Sequence, residues 1–231
     1  MHKGHEDATE NVLRKRYAEL LGDPLGPVFY ELWNVAANLH IRWTEYFTLY
    51  GDDSNFDLFE CAAPRFFREI RPIMGHDIIL RFARLTDPEE TGKPHPVKCP
   101  ECEKMFTPST GIIRNNLTLW QLPTLLEDTK KRKQVNKSMN DVMEKTKVFR
   151  EWRNQHIAHD DLHRSLGDPA VEPLGIIDRS IVEPAFASIM TLLNYISGEN
   201  TDFAKLMVTG FGGAEALLRF LREGVEARKV D

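Results

Sequence analysis

From Pro27 to Tyr50 the residues Phe29, Leu32, Trp33, Ala36, Leu39, Trp43, Tyr46, Phe47 and Tyr50 recur at steps of three and four. That is the period of a helix with one face on a core; a half-buried strand would alternate every two residues. Pro27 suits the first helical turn and Gly51 suits the stop. A second helical stretch is predicted from Asn55 to Leu85, where Pro64 and Pro72 call for kinks or a break, and "LTDP" ends it. Residues 88–117 differ: "PEETGKPHPVKCPECEKMFTPSTG" is rich in Pro, Gly, Lys and Thr and lacks a helical stripe, so an irregular, hairpin-like insertion is expected. Helical pattern returns near Thr118 and becomes one long segment from Asp128 to His159, with Val135, Met139, Val142, Val148, Phe149 and Trp152 as its apolar positions. Ile181–Ile196 and Ala214–Val225 read as two closing helices. The expectation is an all-α chain, a single helical domain over 1–231 with 88–117 as the insertion.

Composition narrows the setting. With 231 residues, 42% hydrophobic and 28% charged, the chain can build one large core. A net charge of −5 argues against a protein that coats nucleic acid over its whole surface, so any RNA contact must be focused. Three cysteines make no disulfide framework, the first residues lack an apolar signal region, and no run of about 18 apolar residues offers a membrane span. A cytoplasmic protein is expected.

Chemistry concentrates in "FREWRNQHIAHDDLH", residues 149–163. On a straight helix, Arg153 and His159 stand about 120° apart around the axis and about 9 Å along it, so they do not share a face. Arg153, His156 and Asp160 do share one, and His159 and His163 lie one turn apart on another. A common focus for Arg153 and His159 needs long side-chain reach, a bent helix end, or a second subunit that sets another copy of the motif opposite the first. The approach is basic: Lys130, Lys131, Arg132, Lys133, Lys137, Lys145, Lys147 and Arg150 outnumber the acids Asp128, Asp141, Glu144 and Glu151. This run either draws RNA toward the cluster, with Lys145, Lys147 and Arg150 as the nearest candidates, or keeps an outer helix face solvated.

"RNQHIAH" resembles the signature of the HEPN superfamily, an Arg followed by a polar residue and, after a short gap, a His. "ELWNVAANLHIRWTEYFTLYG", "DIILRFARLTDP" and "GAEALLRFLREG" are similar to blocks of its abortive-infection U (AbiU-like) branch. The resemblance implies a helical bundle that dimerises around the motif and, in many relatives, a metal-independent endoribonuclease of antiphage or toxin–antitoxin systems, without a cofactor. Other relatives bind a nucleotide or a protein partner and do not cleave RNA.

The residues are compatible with that chemistry. RNA cleaves itself when a 2′-hydroxyl attacks the adjacent phosphorus, so an enzyme needs only to move protons and neutralise the developing charge. His159 is the candidate general acid or base, because imidazole titrates near neutrality. Arg153 offers a permanent charge and a planar fork of donors. Asn154 could bond a phosphate or the opposing motif, Asp160 or Asp161 could fix the imidazole tautomer, and His156 is a second imidazole able to carry or misplace the proton. The expected function is RNA cleavage by a homodimer, with an antitoxin protein as a possible partner; the alternative is a non-catalytic dimer binding a nucleotide or protein.

Other features have plainer readings. No zinc site is expected from His156, His159 and His163. Cys99 and Cys102 have the gap of half a zinc knuckle and His95 could be a third ligand, but no second cysteine pair completes four-coordination. Cys61 is expected to fill a helix core position. Trp33, Trp43, Trp120 and Trp152 fall on helical stripes and are expected in the core or an interface. Arg81, Arg84 and Asp87 of "RFARLTDP" are expected to form a buried ion pair steadying the bundle.

Overall fold

A computed structural model describes residues 3–91, 97–98, 105–106, 114–157, 177–199 and 212–228, with side chains over 12–89, 116–157, 177–199 and 212–228. His95, Cys99, Cys102, His159, Asp160, Asp161 and His163 lie outside the described side chains.

The fold is all-α. Its helices are α1 (Lys3–Leu21), α2 (Leu25–Tyr50), α3 (Ser54–Ala62), α4 (Pro64–Leu85), α5 (Gln121–Leu125), α6 (Thr129–Lys145), α7 (Lys147–Trp152), α8 (Arg179–Ser197) and α9 (Gly213–Arg228). The 88–117 excursion holds two nested antiparallel ladders of two-residue strands. β1 (Glu90–Thr91) pairs with β4 (Arg114–Asn115), and β2 (Val97–Lys98) pairs with β3 (Met105–Phe106).

The stripe on α2 is the centre of the bundle. Leu32, Ala36 and Leu39 are fully buried, and α2 packs against α1, α4, α8 and α9. Gly26 at its start lets α1 approach, since a Cβ there would stand 2.3 Å from the Tyr17 carbonyl oxygen. Asn55 donates to the carbonyls of Thr48 and Leu49, satisfying acceptors at the end of α2. Pro64 starts α4 after a break at Ala63, whereas Pro72 is carried inside α4. Trp33 and Trp43 are buried, and Trp120 and Trp152 pack partly buried against the core.

Three features differ from the sequence reading. The sequence reading assigns no helix before Pro27, whereas α1, with the short apolar stripe Leu13, Tyr17 and Leu21, packs on α2; its Tyr17 ring lies tilted against Phe29, Tyr30 and Trp33. Cys61 is exposed rather than in the core, because α3 turns Asn55 and Phe59 inward instead. The segment from Asp128 is not one rod: it breaks at Thr146, whose buried hydroxyl donates to the Val142 carbonyl at 2.7 Å. A hydroxyl bonding back to a helix carbonyl bends the helix.

The break sets the direction of α7. Phe149 is fully buried and stacks on Phe82 of α4, with ring centroids 4.2 Å apart and planes 9° apart. Trp152 meets Phe149 edge-on at 6.0 Å. Burying two such rings contributes several kcal/mol, so this stack fixes α7 on the end of α4.

Candidate functional site at the end of two helices

Immediately after Trp152 the chain leaves α geometry for a π-helical turn over Arg153–Ile157, the residues "RNQHI". Such wide turns are uncommon and concentrate at functional sites. The turn sorts its side chains. His156 is buried at 8% exposure as the turn packs on α4, while Arg153 and Asn154 face a surface cleft.

Arg150 and Arg153, one turn apart, grip two consecutive residues just past α4. Arg150 donates from Nη1 to the hydroxyls of Thr86 (2.7 Å) and Thr146 (2.9 Å), and from Nη2 to the Met143 carbonyl (2.8 Å). It thereby joins the broken end of α6, the start of α7 and the end of α4. Arg153 donates from Nη1 to both carboxylate oxygens of Asp87, each at 2.5 Å, and from Nε to Asn154 Oδ1 at 3.0 Å. Its Nη2 makes no hydrogen bond among the described residues.

Asp87 therefore pairs with an arginine 66 positions away, and the local pairing expected within "RFARLTD" does not form. Arg81 is held instead by Asp77, through Nε at 3.0 and 2.8 Å, and Arg84 is exposed without a partner among the described residues. No spacing rule finds a contact across 66 residues; the only signal was an unpaired acid at a helix end and an "RxxR" pattern elsewhere.

Burial pulls the Arg150 guanidinium below its ordinary range, the Asp87 carboxylate opposes that shift and the Arg153 charge adds to it. An arginine remains cationic at neutral pH all the same. Two arginines and two carboxylates, Asp87 and Glu89, thus share the wall of a cleft of about 880 Å³ that is also lined by Trp120 and Pro88. Such a wall can bind an anion with donors already in place.

The other basic candidates are placed less favourably. Lys147 pairs with Glu151 at 3.4 Å, and Lys145 is exposed on the last turn of α6, outside the lining of this cleft. Lys131 and Arg132 turn inward to the carbonyls of Ile196 and Leu126. No helix among the described residues is long and apolar enough to cross a membrane.

The HEPN_AbiU2 family model (AbiU2) matches residues 23–202 of the chain. No curated protein and no solved structure matches it.

Proposed function

The chain belongs to the AbiU2 family of HEPN proteins, and from that premise we propose that it is a metal-independent endoribonuclease acting in antiphage or toxin–antitoxin defence. The observation that carries the proposal is Arg153, fixed by Asp87 and Asn154 in a cleft wall, with an Nη2 that no described residue engages and that can donate to a phosphate oxygen. In the proposed reaction a ribose 2′-oxygen bonds to phosphorus as the bond to the 5′-oxygen breaks. One proton leaves the 2′-hydroxyl and one reaches the departing 5′-oxygen, giving a 2′,3′-cyclic phosphate and a 5′-hydroxyl. His159 is the proposed proton carrier, and Arg153 stabilises the charge gathering on the phosphate oxygens. A homodimer that brings two motifs together supplies the second proton carrier, and an antitoxin would act by covering this cleft.

A second reading, a non-catalytic HEPN dimer that binds a nucleotide or a protein, is favoured by one observation: Asp87 consumes much of the Arg153 charge within the chain. Cleavage of RNA by purified protein in a chelator separates the two. Wild type that yields cyclic-phosphate ends, with activity lost in folded Arg153→Ala and His159→Ala dimers, supports the enzyme. Wild type that cleaves no RNA, with weaker dimerisation in both variants, supports the scaffold.

A further inference from the structure

Three surface clefts share their walls. The central one holds Arg153. On one side Asp87 separates it from a cleft of about 590 Å³ that contains Arg81 and Arg84. On the other side Trp120 separates it from a cleft of about 640 Å³ along α6 that contains Lys130, Lys133 and Lys137. Asp87 and Trp120 each line two neighbouring clefts, so the three adjoin one another as a line of connected clefts.

The line is positively charged at both ends. Arg84 could have been a helix cap, since cations favour helix C-termini. The nearby carbonyls are already taken: Thr86 bonds those of Phe82 and Ala83, and the Leu119 N–H bonds that of Leu85. Arg84 has no partner among the described residues. Arg81 shares Asp77 with Arg42, so that trio keeps one positive charge in excess. In the central cleft the Asp87 charge is answered by Arg153, and Glu89 and Arg150 carry equal and opposite charges, so the stretch between the two ends is near neutral. At the far end Lys130, Lys133 and Lys137 occupy one exposed face of α6, and no side-chain ion pair engages them among the described residues. Trp120 stands between these lysines and Arg153, half-buried against the core.

Basic residues spaced along a groove with an aromatic ring between them are what a single strand of nucleic acid requires: charges for successive phosphates and a face on which a base stacks. The α6 lysines share a cleft with the Trp120 indole, and the same indole lines the neighbouring cleft that holds the arginine of the motif. We propose that these three clefts form a track for single-stranded RNA, with Trp120 as the stacking platform beside the phosphate at Arg153. The inference rests on the reading of RNA as substrate, and it specifies an unpaired strand, because a duplex keeps its base faces stacked inside.

The test is fluorescence anisotropy of the full chain with a labelled 2′-O-methyl oligoribonucleotide, which lacks the attacking hydroxyl and reports binding alone. Arg84→Gln is expected to weaken binding roughly five-fold and Lys133→Gln/Lys137→Gln more, each lost contact lowering the slope of log affinity against log salt by about 0.7. Trp120→Ala is expected to lose roughly ten-fold, and Trp120→Phe to recover most of it. Arg65→Gln, about 28 Å from Arg84 along α4, is the charge-matched control and should bind as wild type. A paired duplex of the same sequence should bind more weakly than the strand. Equal affinity and salt slope in wild type and the exposed Arg84 and lysine variants would overturn the track, whatever Trp120→Ala does to folding. So would wild type that ignores the strand; cleavage in chelator then judges the Arg153 centre separately. Strand binding that depends on these residues, in a protein that cleaves nothing, would keep the track and remove the ribonuclease.

Discussion

Replacing Asp87 by Asn is the perturbation that most directly interrogates the site. The carboxylate and the Arg153 guanidinium are 18% and 21% exposed, between the solvent-screened and the fully buried limits. Breaking a buried pair costs about 3–5 kcal/mol, and exposed pairs contribute about 0–1. Two charge-assisted bonds at 2.5 Å in this intermediate setting place the cost of Asp87→Asn at about 2 kcal/mol. In a chain of 231 residues that lowers the melting temperature by about 4–8 °C. The neighbours also set an order. Asp87→Asn leaves Arg150 and Arg153 facing each other without their anion, whereas Arg153→Gln leaves Asp87 with the Arg150 charge nearby. Asp87→Asn should therefore be the more damaging, and the double variant should reveal a coupling of about 1–2 kcal/mol. Calorimetric melts of the four proteins at constant salt measure this. A coupling within about 0.5 kcal/mol of zero, or the opposite order of the single variants, would refute the account of a clamped arginine.

Phe149→Ala empties one side of the Phe82 stack and should cost about 3–5 kcal/mol in chemical denaturation. Asp178 caps α8 by accepting from the Ser180 hydroxyl and backbone N–H, which hold its carboxyl below the usual carboxylate range. Asp178→Ala should cost about 1 kcal/mol at neutral pH. A depressed carboxyl pKa stabilises above the unfolded-state pKa and stops doing so as pH falls through the folded one, so the gap in melting temperature between wild type and variant should shrink below about pH 4. Cys61→Ser should lower by one the number of thiols that react with a disulfide reagent in the native protein, because Cys61 is exposed on α3.

Much of the architecture was legible because single helices declare themselves locally. The α2 stripe runs true from Phe29 to Tyr50, and the stops at Gly51, Ala63 and "LTDP" fall where glycine, proline and turn residues predict them. Elements and contacts whose cause lies elsewhere were not legible. Thr146 looks like any helix-interior threonine, and it ends α6 only because its hydroxyl takes a carbonyl and Arg150 braces the bend. Tyr17 makes α1 part of the bundle through rings contributed by α2, which the weak pattern of α1 does not reveal. The motif points to Arg153 and Asn154, but the partner that orients Arg153 comes from the turn just past α4, and pairing Asp87 with the neighbouring arginines follows sequence proximity where the fold chooses otherwise.

The Asp87 clamp cuts both ways, and magnitudes decide what it leaves. A free arginine must be ordered before it can hold a phosphate, and freezing its side chain costs up to about 2 kcal/mol. Here that ordering is completed on folding, by two bonds to Asp87 and one to Asn154. The loss is in field strength, since the carboxylate cancels one unit of positive charge beside the phosphate position. Arg150 and Glu89 line the same cleft and offset each other, so two arginines and two carboxylates leave its wall near neutral, while Nη2 of Arg153, which makes no hydrogen bond among the described residues, can donate. The arrangement thus exchanges raw charge for fixed direction, which suits recognition of a developing charge at one point better than attraction of an anion at large. Long-range attraction then falls to the cations at the two ends of the line, Arg84 and the α6 lysines, which carry no such restraint among the described residues.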